Sequence, residues 1–384
     1  AIKRLGYTKP TQIQTESIPH IIHGEDVIGE SATGSGKTLA FGCGLIEKVV
    51  PGKGLQALIL TPTRELTLQV KESISELSHK KPLNIVTVYG GVPINKQIYN
   101  LPRAEVVVAT PGRLLDHLKR KTINLTKVEY LVLDEADRML DMGFIDDVER
   151  IINACPTKRQ TLFFSATISP YIKHLANKYM NNPIKVSATK MVDPTKLKQT
   201  YYNISGGMKL SLLNHLLENE TSGLVMIFCN TRRNTDFVVK NLQASKINAI
   251  AIHGGLSQNR RTKTMDSFNQ SKFGVLVCTD VAARGLHIDN VSHIYNYDLP
   301  KDPKDYVHRI GRTARAGEKG KVINFLSDRD HDNFSRILHE YREFKIEKFE
   351  IPRFRKVKTF RSEHRPSAGN RHFTKHRQQK RWNN

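Results

Sequence analysis

The sequence predicts an α/β protein of two tandem lobes, each built on a parallel sheet, followed by a basic C-terminal tail. Three observations carry that expectation. The chain has 384 residues, too many for one ordinary domain and about right for two. Short apolar runs alternate with amphipathic stretches along most of its length, the pattern of strand–helix units around a parallel sheet. The two halves also echo one another, motif for motif and in the same order.

The strand candidates of the first half are residues 27–29, 55–60, 84–89, 105–109, 130–133 and 161–164. Those of the second are 223–229, 248–253, 274–278, 292–297 and 321–326. Between them lies a polar, proline-containing stretch, SATKMVDPTKLK at 187–198, of the kind that links domains. The chain thus divides into a first lobe at 1–187, a linker at 188–198, a second lobe at 199–346 and a tail at 347–384. The echo falls at strand ends. TPTR at 61–64 matches CNTR at 229–232, YGG at 89–91 matches HGG at 253–255, and ATPGR at 109–113 matches CTDVAARG at 278–285. A duplicated fold would set these loops on the same edge of each sheet, where α/β proteins bind ligands. One half alone carries a phosphate loop, so the duplication did not preserve chemistry.

Composition narrows the function class. Hydrophobic content of 39% and a mean hydropathy of −0.44 are those expected of a soluble globular protein. No apolar run approaches the roughly 20 residues of a membrane span, and the opening residues do not resemble a signal peptide. The four cysteines, Cys43, Cys155, Cys229 and Cys278, are widely spaced with no C-x-x-C pair. That argues against a metal or disulfide framework and for a reducing, cytoplasmic setting. With 60 Lys+Arg against 37 Asp+Glu, the net charge is +23. Ordinary solubility charge on a small domain is about 2 to 8, so the excess favours a polyanion partner.

Residues 31–38 read SATGSGKT, after the apolar run 27–29 and before a helical run from Leu39. Gly34 and Gly36 let the backbone turn tightly, so that N–H groups around Thr33, Gly34, Ser35 and Gly36 face phosphate and the next helix adds its positive end. Lys37 would reach the β/γ-phosphates, and the Thr38 hydroxyl would hold Mg²⁺. Ser31 replaces the first glycine of the general pattern. Residues 134–137 read DEAD directly after an apolar strand candidate. Asp134 would hold the metal through water, and Glu135 would be the general base or orient the attacking water. Alone, the acidic quartet could be a helix cap; beside SATGSGKT the catalytic reading is preferred.

In this combination the sequence resembles a DEAD-box RNA helicase of superfamily 2, from Leu5 to about Tyr341. The resemblance implies two RecA-like lobes, ATP and Mg²⁺ as cofactors, and RNA as the polyanion. GYTKPTQIQ at 6–14 resembles the Q motif, in which Gln14 would read adenine and Tyr7 would stack on the base. A glutamine amide matches the donor–acceptor edge of adenine bidentately. PTREL at 62–66, the glycines Gly90 and Gly91, and TPGR at 110–113 resemble the first lobe's RNA motifs. They imply RNA contacts from Arg64, Gly90, Gly91, Thr110, Gly112 and Arg113, mainly to phosphate and sugar and so without sequence reading. SAT at 165–167 resembles the motif that couples the ATP site to the other lobe, with Ser165 and Thr167 acting beside Asp137.

In the second lobe IFCNT at 227–231, Gln258 with Arg261, and TDVAARG at 279–285 resemble further RNA and coupling motifs. They imply RNA contacts at Thr231, Gly254, Arg261, Thr279 and Asp280. The family usually continues RGLD, but this chain has RGLH. The ribose contact of that Asp would then pass to His287 or to Asp289. HRIGRTARAG at 308–317 resembles the final motif, in which Arg312 and Arg315 would be arginine fingers on the γ-phosphate. His308 would join that motif to the first lobe, and Arg309 would serve interlobe coupling.

The resemblance therefore implies an RNA-dependent ATPase that binds single-stranded RNA between its lobes and locally unwinds short duplexes. An ATP-gated RNA clamp with little unwinding would carry the same motifs. A DNA translocase is disfavoured by the DEAD and Q-motif matches, and a GTPase switch by Gln14 and by two lobes. The tail, with eleven Lys/Arg and one Glu across 353–384 interspersed with Phe354, Phe360, Phe373 and Trp382, cannot supply a core and is expected to be largely disordered. Its composition suits non-specific RNA contact. Protein partners would engage the tail or the second lobe, and a monomer is the default expectation.

Overall fold

The computed structural model describes residues 2–31, 34–188, 197–220, 222–283, 288, 291–313 and 320–360. The expectations at Thr33, His287, Asp289 and Arg315, in the linker at 189–196 and in the tail at 361–384, lie outside the described residues.

The first half opens on a short 3₁₀ turn and α1 (Gln12–His23), then alternates strand and helix. Its order is β1 (Val27–Glu30), α2 (Lys37–Lys48), β2 (Ala57–Leu60), α3 (Arg64–Leu77), β3 (Ile85–Val88), α4 (Ile94–Asn100), β4 (Val106–Ala109) and α5 (Pro111–Lys119). It continues with β5 (Tyr130–Asp134), α6 (Ala136–Asp141), α7 (Ile145–Asn153), β6 (Gln160–Ser165), α8 (Pro170–Tyr179) and β7 (Ile184–Ser187). The second half runs β8 (Leu197–Asn203), α9 (Lys209–Asn219), β9 (Leu224–Phe228), α10 (Arg232–Ala244), β10 (Ala249–Ile252), α11 (Gln258–Asn269) and β11 (Val275–Cys278). It ends with α12 (Asp280–Ala283), β12 (Val291–Asn296), α13 (Pro303–Ile310), β13 (Gly320–Leu326), α14 (His331–Glu340) and β14 (Ile346–Lys348).

Among the described residues these strands form two sheets of seven, ordered β3-β4-β2-β5-β6-β1-β7 and β10-β11-β9-β12-β13-β8-β14. Every pairing is parallel. Adding seven to each strand number of the first sheet gives the second, so the sequence echo is an echo of topology. Central strands such as β2 (ALIL) and β4 (VVVA) are buried at every residue. Helices covering both faces of a parallel sheet require that, which is why these strands read as unbroken apolar runs. The first sheet lies between two clusters, one holding Leu58, Val107 and Phe163 and the other Ile59, Val106 and Phe164.

Three strands had no sequence signal. β7 (IKVS) exposes two of its four residues, β14 is a three-residue edge strand, and β8 (LKQTYYN) mixes polar and aromatic residues. Leu197 and Lys198, expected to end the linker, are the first two residues of β8. Of the tail, expected to be largely disordered, residues 353–360 are described and carry no regular secondary structure. There the chain crosses the outer face of the second half, where Val357 N–H donates to Ser211 Oγ at 3.1 Å. Phe360 N–H donates to Asn241 Oδ1 at 2.7 Å and its carbonyl accepts from Asn241 Nδ2 at 3.2 Å. Aromatic anchors explain the order: Phe349 packs on Tyr202, and Phe354 on His215.

Candidate functional site

The strand order divides the working edge of the first sheet in two. Strands β5, β6 and β1 are neighbours, so the loops that follow them, DEAD, SAT and SATGSGKT, share one stretch of carboxyl edge. Strands β3, β4 and β2 are neighbours at the other end, and their loops carry YGG, TPGR and PTREL. One stretch is suited to nucleotide, the other to a polyanionic strand.

At the nucleotide stretch Gly36 N-caps α2 with φ 91°, a left-handed conformation that favours glycine. A β-carbon there would collide with the Gln14 amide. Gln14 is buried; its Nε2 donates to the Gly36 carbonyl at 3.1 Å, and its Oε1 accepts from Thr11 N–H at 3.0 Å. Thr11 Oγ1 donates to the Ser35 carbonyl at 2.7 Å. Both ends of the amide expected to read adenine are thus engaged by the chain, tying α1 to the phosphate loop, while Tyr7 is 53% exposed. Lys37 is buried, with Nζ donating to the Ser31 carbonyl at 2.7 Å. Thr38, second residue of α2, is half-buried.

Asp134 ends β5 with 2% exposure, and its Oδ1 has no hydrogen-bond partner among the described atoms. Burial pushes its carboxyl up to about 7, with Lys37 opposing the shift and Glu135 adding to it. An orphaned carboxylate oxygen within the field of Lys37 fits a divalent cation or its bound water. Glu135 is buried and holds φ 53° as the N-cap of α6, an uncommon left-handed conformation for a side chain of its size and a form of strain that gathers at functional sites.

Asp137, Ser165 and Thr167 form one closed network. Ser165 Oγ accepts from Asp137 N–H at 3.1 Å and donates to the Thr167 carbonyl at 2.9 Å. Asp137 Oδ2 accepts from Thr167 N–H and Oγ1, both at 3.1 Å. The next residue carries this network across to the other half. Arg138 N–H donates to Asp137 Oδ1 at 3.0 Å, and its guanidinium lies 3.0 Å from Asp305 Oδ1 on α13. A small cavity at this junction is shared by Arg138 with Asp305, His308 and Arg312, so two of the residues expected to act from the second lobe do meet the first there.

Arg309 is placed differently from its expected coupling role. It is 1% exposed and its guanidinium is bidentate to Asp280 at 2.6 and 2.7 Å. Further bonds go to Asn296 Oδ1, the Asp298 carbonyl and Asn230 Oδ1, and the Phe228 ring lies below at 5.0 Å. Among the described residues these partners all belong to the second half, so Arg309 braces that half internally. Asp280, expected at RNA, is its counter-ion.

On the polyanion stretch, Arg64 lies against Gly90 and Gly91, and a side chain at Gly91 (φ +82°) would displace its guanidinium. The second half repeats the device, with Arg232 against Gly254. Thr63 and Thr231 cap the equivalent helices through Leu66 N–H and Asn234 N–H. Arg113 donates to the Val92 carbonyl at 3.1 Å, Gly112 and Thr231 are exposed, and Thr110 and Thr279 are buried beneath. Behind the YGG loop, Gln97 Nε2 donates to the Tyr89 carbonyl at 2.9 Å and Gln97 Oε1 meets His117 Nε2 at 3.0 Å. Arg261 is not held toward solvent: it pairs across the halves with Glu65 at 2.9 Å, and Gln258 joins the same carboxylate at 3.2 Å. Sequence reasoning missed Arg138, Asp305, Glu65 and Arg232. The repeat of TR after β2 and β9 could have found Arg232; nothing in the chain marks Asp305.

The family model described as DEAD/DEAH box helicase matches residues 11–175, and that of the helicase conserved C-terminal domain matches residues 208–317. The chain is 42% identical over 356 residues to the ATP-dependent RNA helicase CshA of Listeria monocytogenes, covering 92% of this chain and 68% of that one. It is 44% identical to CshA of Limosilactobacillus reuteri, covering 88% and 68%. Among solved structures, Dbp5 of S. cerevisiae bound to RNA and ADP BeF3 is 32% identical, with coverages of 91% and 92% and a TM-score of 0.83. A DEAD box protein of Methanococcus jannaschii is 42% identical, with coverages of 91% and 95%, yet its TM-score is 0.56.

Proposed function

The chain belongs to the DEAD-box family of ATP-dependent RNA helicases, and we propose that it clamps one RNA strand between its lobes when ATP draws them together, prying short duplexes apart locally. The observation that carries this reading is the bridge from Asp137 through Arg138 to Asp305. It links the acidic motif of the nucleotide stretch to the helix bearing His308 and leading to Arg312.

Within that reading Lys37 and the N–H groups of the phosphate loop hold the β/γ-phosphates of ATP, while Glu135 orients the attacking water and takes its proton. Asp134 and Thr38 would hold Mg²⁺, whose positive charge would offset the negative charge of the phosphates. Arg312, and Arg315 beside it in the motif, bring compensating charge from the second lobe. Hydrolysis then requires the lobes to meet, and meeting aligns the Arg64–Gly91 and Arg232–Gly254 loops along one RNA backbone. RNA and ATP favour the same arrangement, so each tightens the other by the same coupling free energy. Contacts to phosphate and sugar make the binding sequence-independent.

No helix among the described residues is long and apolar enough to cross a membrane. Four unpaired cysteines suit a reducing cytoplasm, where the protein would act as a monomer, with protein partners at the second lobe or tail. The test is ATP hydrolysis with single-stranded RNA, with matched DNA and without nucleic acid, beside Glu135→Gln. Stimulation by RNA alone, abolished in Glu135→Gln, is expected. Equal rates in all three conditions would reduce the reading to a two-lobed ATPase of other substrate. RNA held in an ATP-dependent way without strand opening would favour the clamp.

A further inference from the structure

A second binding surface lies on the first half, outside the cleft. β3 is the outermost strand of its sheet and pairs with β4 alone. The Asn84 carbonyl accepts from Glu105 and Val106 N–H, and the Val88 carbonyl accepts from Thr110 N–H at 2.9 Å. The alternation of a parallel ladder therefore turns the N–H and C=O groups of Ile85 and Thr87 outward. They open into a groove of about 690 Å³ between α3 and α4. Its floor includes Leu83, Ile85 and Val92, and its described lining holds three cations, Lys71, Lys96 and Arg103, and no carboxylate. All three cations are exposed.

The geometry points to a docking site for an acidic, extended peptide segment of a protein partner, which adds a strand to β3 and sets its carboxylates among Lys71, Lys96 and Arg103. Strand addition takes its affinity from main-chain bonds and its specificity from alternate side chains. Charge complementarity alone would suit RNA equally. The ladder favours the peptide: it satisfies both the donors and the acceptors of Ile85 and Thr87 at the strand repeat, whereas the phosphates of an RNA strand can only accept hydrogen bonds. The apolar floor also suits the aliphatic side chains that alternate with carboxylates. An unguarded edge is a liability that proteins blunt with lysine; here the lysines flank an open groove. The groove reaches Tyr89, the first residue of the YGG loop, so an occupant would bear on the RNA-facing loop of the same half.

The experiment uses the full chain and a fluorescein-labelled hexapeptide alternating Glu and Val, with a second probe of the same sequence N-methylated at every residue. The second probe keeps the charge but cannot complete the ladder, which separates docking from non-specific attraction to a chain of +23 charge. The unmethylated probe is expected to bind at least about tenfold more tightly than its methylated partner. It should slow hydrogen exchange at the Ile85 and Thr87 amides, and lose about tenfold or more in the triple variant Lys71→Glu, Lys96→Glu, Arg103→Glu. RNA-free ATPase activity of that variant, unchanged, reports that the fold is intact. Equal binding of the two probes, or unaltered exchange at Ile85 and Thr87, overturns the proposal. A loss of RNA affinity alone in the triple variant would then assign the three cations to RNA.

Discussion

Replacing Arg138 by Met keeps the aliphatic stem and removes the charge that crosses between the halves. The guanidinium lies 3.0 Å from Asp305 Oδ1, with side-chain exposures of 4% and 18%. At that distance and an effective dielectric of 20, the Coulomb attraction is about 5.5 kcal/mol. Taking both groups out of water cancels much of this, and measured couplings of close interfacial pairs begin at about 1.5 kcal/mol. A net bridge of about 2 kcal/mol is consistent with both limits, and it equals about 30-fold in an equilibrium. Because the bridge joins the halves, its loss should fall on states in which they meet. RNA affinity with a non-hydrolysable ATP analogue and RNA-stimulated ATPase should drop about 30-fold, while ATP binding without RNA changes little. Asp305→Asn should act alike, and the double variant should be no worse than either single one. The assays are fluorescence-anisotropy RNA binding with and without the analogue, and steady-state hydrolysis across RNA concentration. Fully additive losses in the double variant, or an Arg138→Met protein within threefold of the parent in both assays, would refute the reasoning.

Two further outcomes follow from buried polar groups. Arg309→Met should destabilise the second half by about 3 kcal/mol, because Asp280 is left without its bidentate partner; urea unfolding monitored in that half checks it, and an unshifted midpoint would contradict the brace. His117, buried between Gln97 and Thr122, has its pKa lowered by burial, with the Arg113 charge adding to the effect. Its contribution is therefore full above about pH 6.5, the unfolded value, and is lost as pH falls through the lower folded value. The parent's melting temperature should fall more steeply below pH 6.5 than that of His117→Asn; parallel curves would mean that His117 does not titrate between the two states.

The fold was legible where burial on both faces forces unbroken apolar strands, and in the turn chemistry of SATGSGKT. It was illegible at β8, whose polar and aromatic mixture is satisfied inside the sheet through groups such as Gln199 and Thr200, both buried. A single chain does not announce that Gln199 Oε1 will accept from Tyr306 at 2.7 Å. The candidate nucleotide residues could be grouped from sequence because phosphate chemistry fixes their spacing within one loop. The bridges could not, because Arg138 with Asp305 and Glu65 with Arg261 are 167 and 196 positions apart, and either member alone reads as a surface charge. Arg309 shows the converse: its motif was found, but its burial and its partners were set by five residues scattered over the second half.

The duplication also gives a reason why the proposed ATP site would be shared. The strand equivalent to β1 is β8, and each is followed by a helix that begins with lysine, Lys37 on α2 and Lys209 on α9. Fold position alone would make both phosphate-binding lysines. Their surroundings separate them. Lys37 donates to a carbonyl of its own loop and lies near Asp134, whose Oδ1 has no hydrogen-bond partner among the described atoms, so phosphate would take its hydrogen bond from a neutral acceptor. Lys209 is buried against Asp330 at 2.7 Å and the Tyr297 carbonyl at 2.9 Å. Asp330 in turn accepts from Ser327 N–H and Oγ, and these bonds, led by Lys209's, keep its carboxyl below its usual range against the opposing pull of burial. Drawing Lys209 away would leave a buried carboxylate unpaired, at a cost of several kcal/mol. The second half has thus turned the same lysine into a strut. With one phosphate cradle for two lobes, the second would act on nucleotide, in the proposed mechanism, through side chains that reach across, as Asp305 on α13 reaches Arg138.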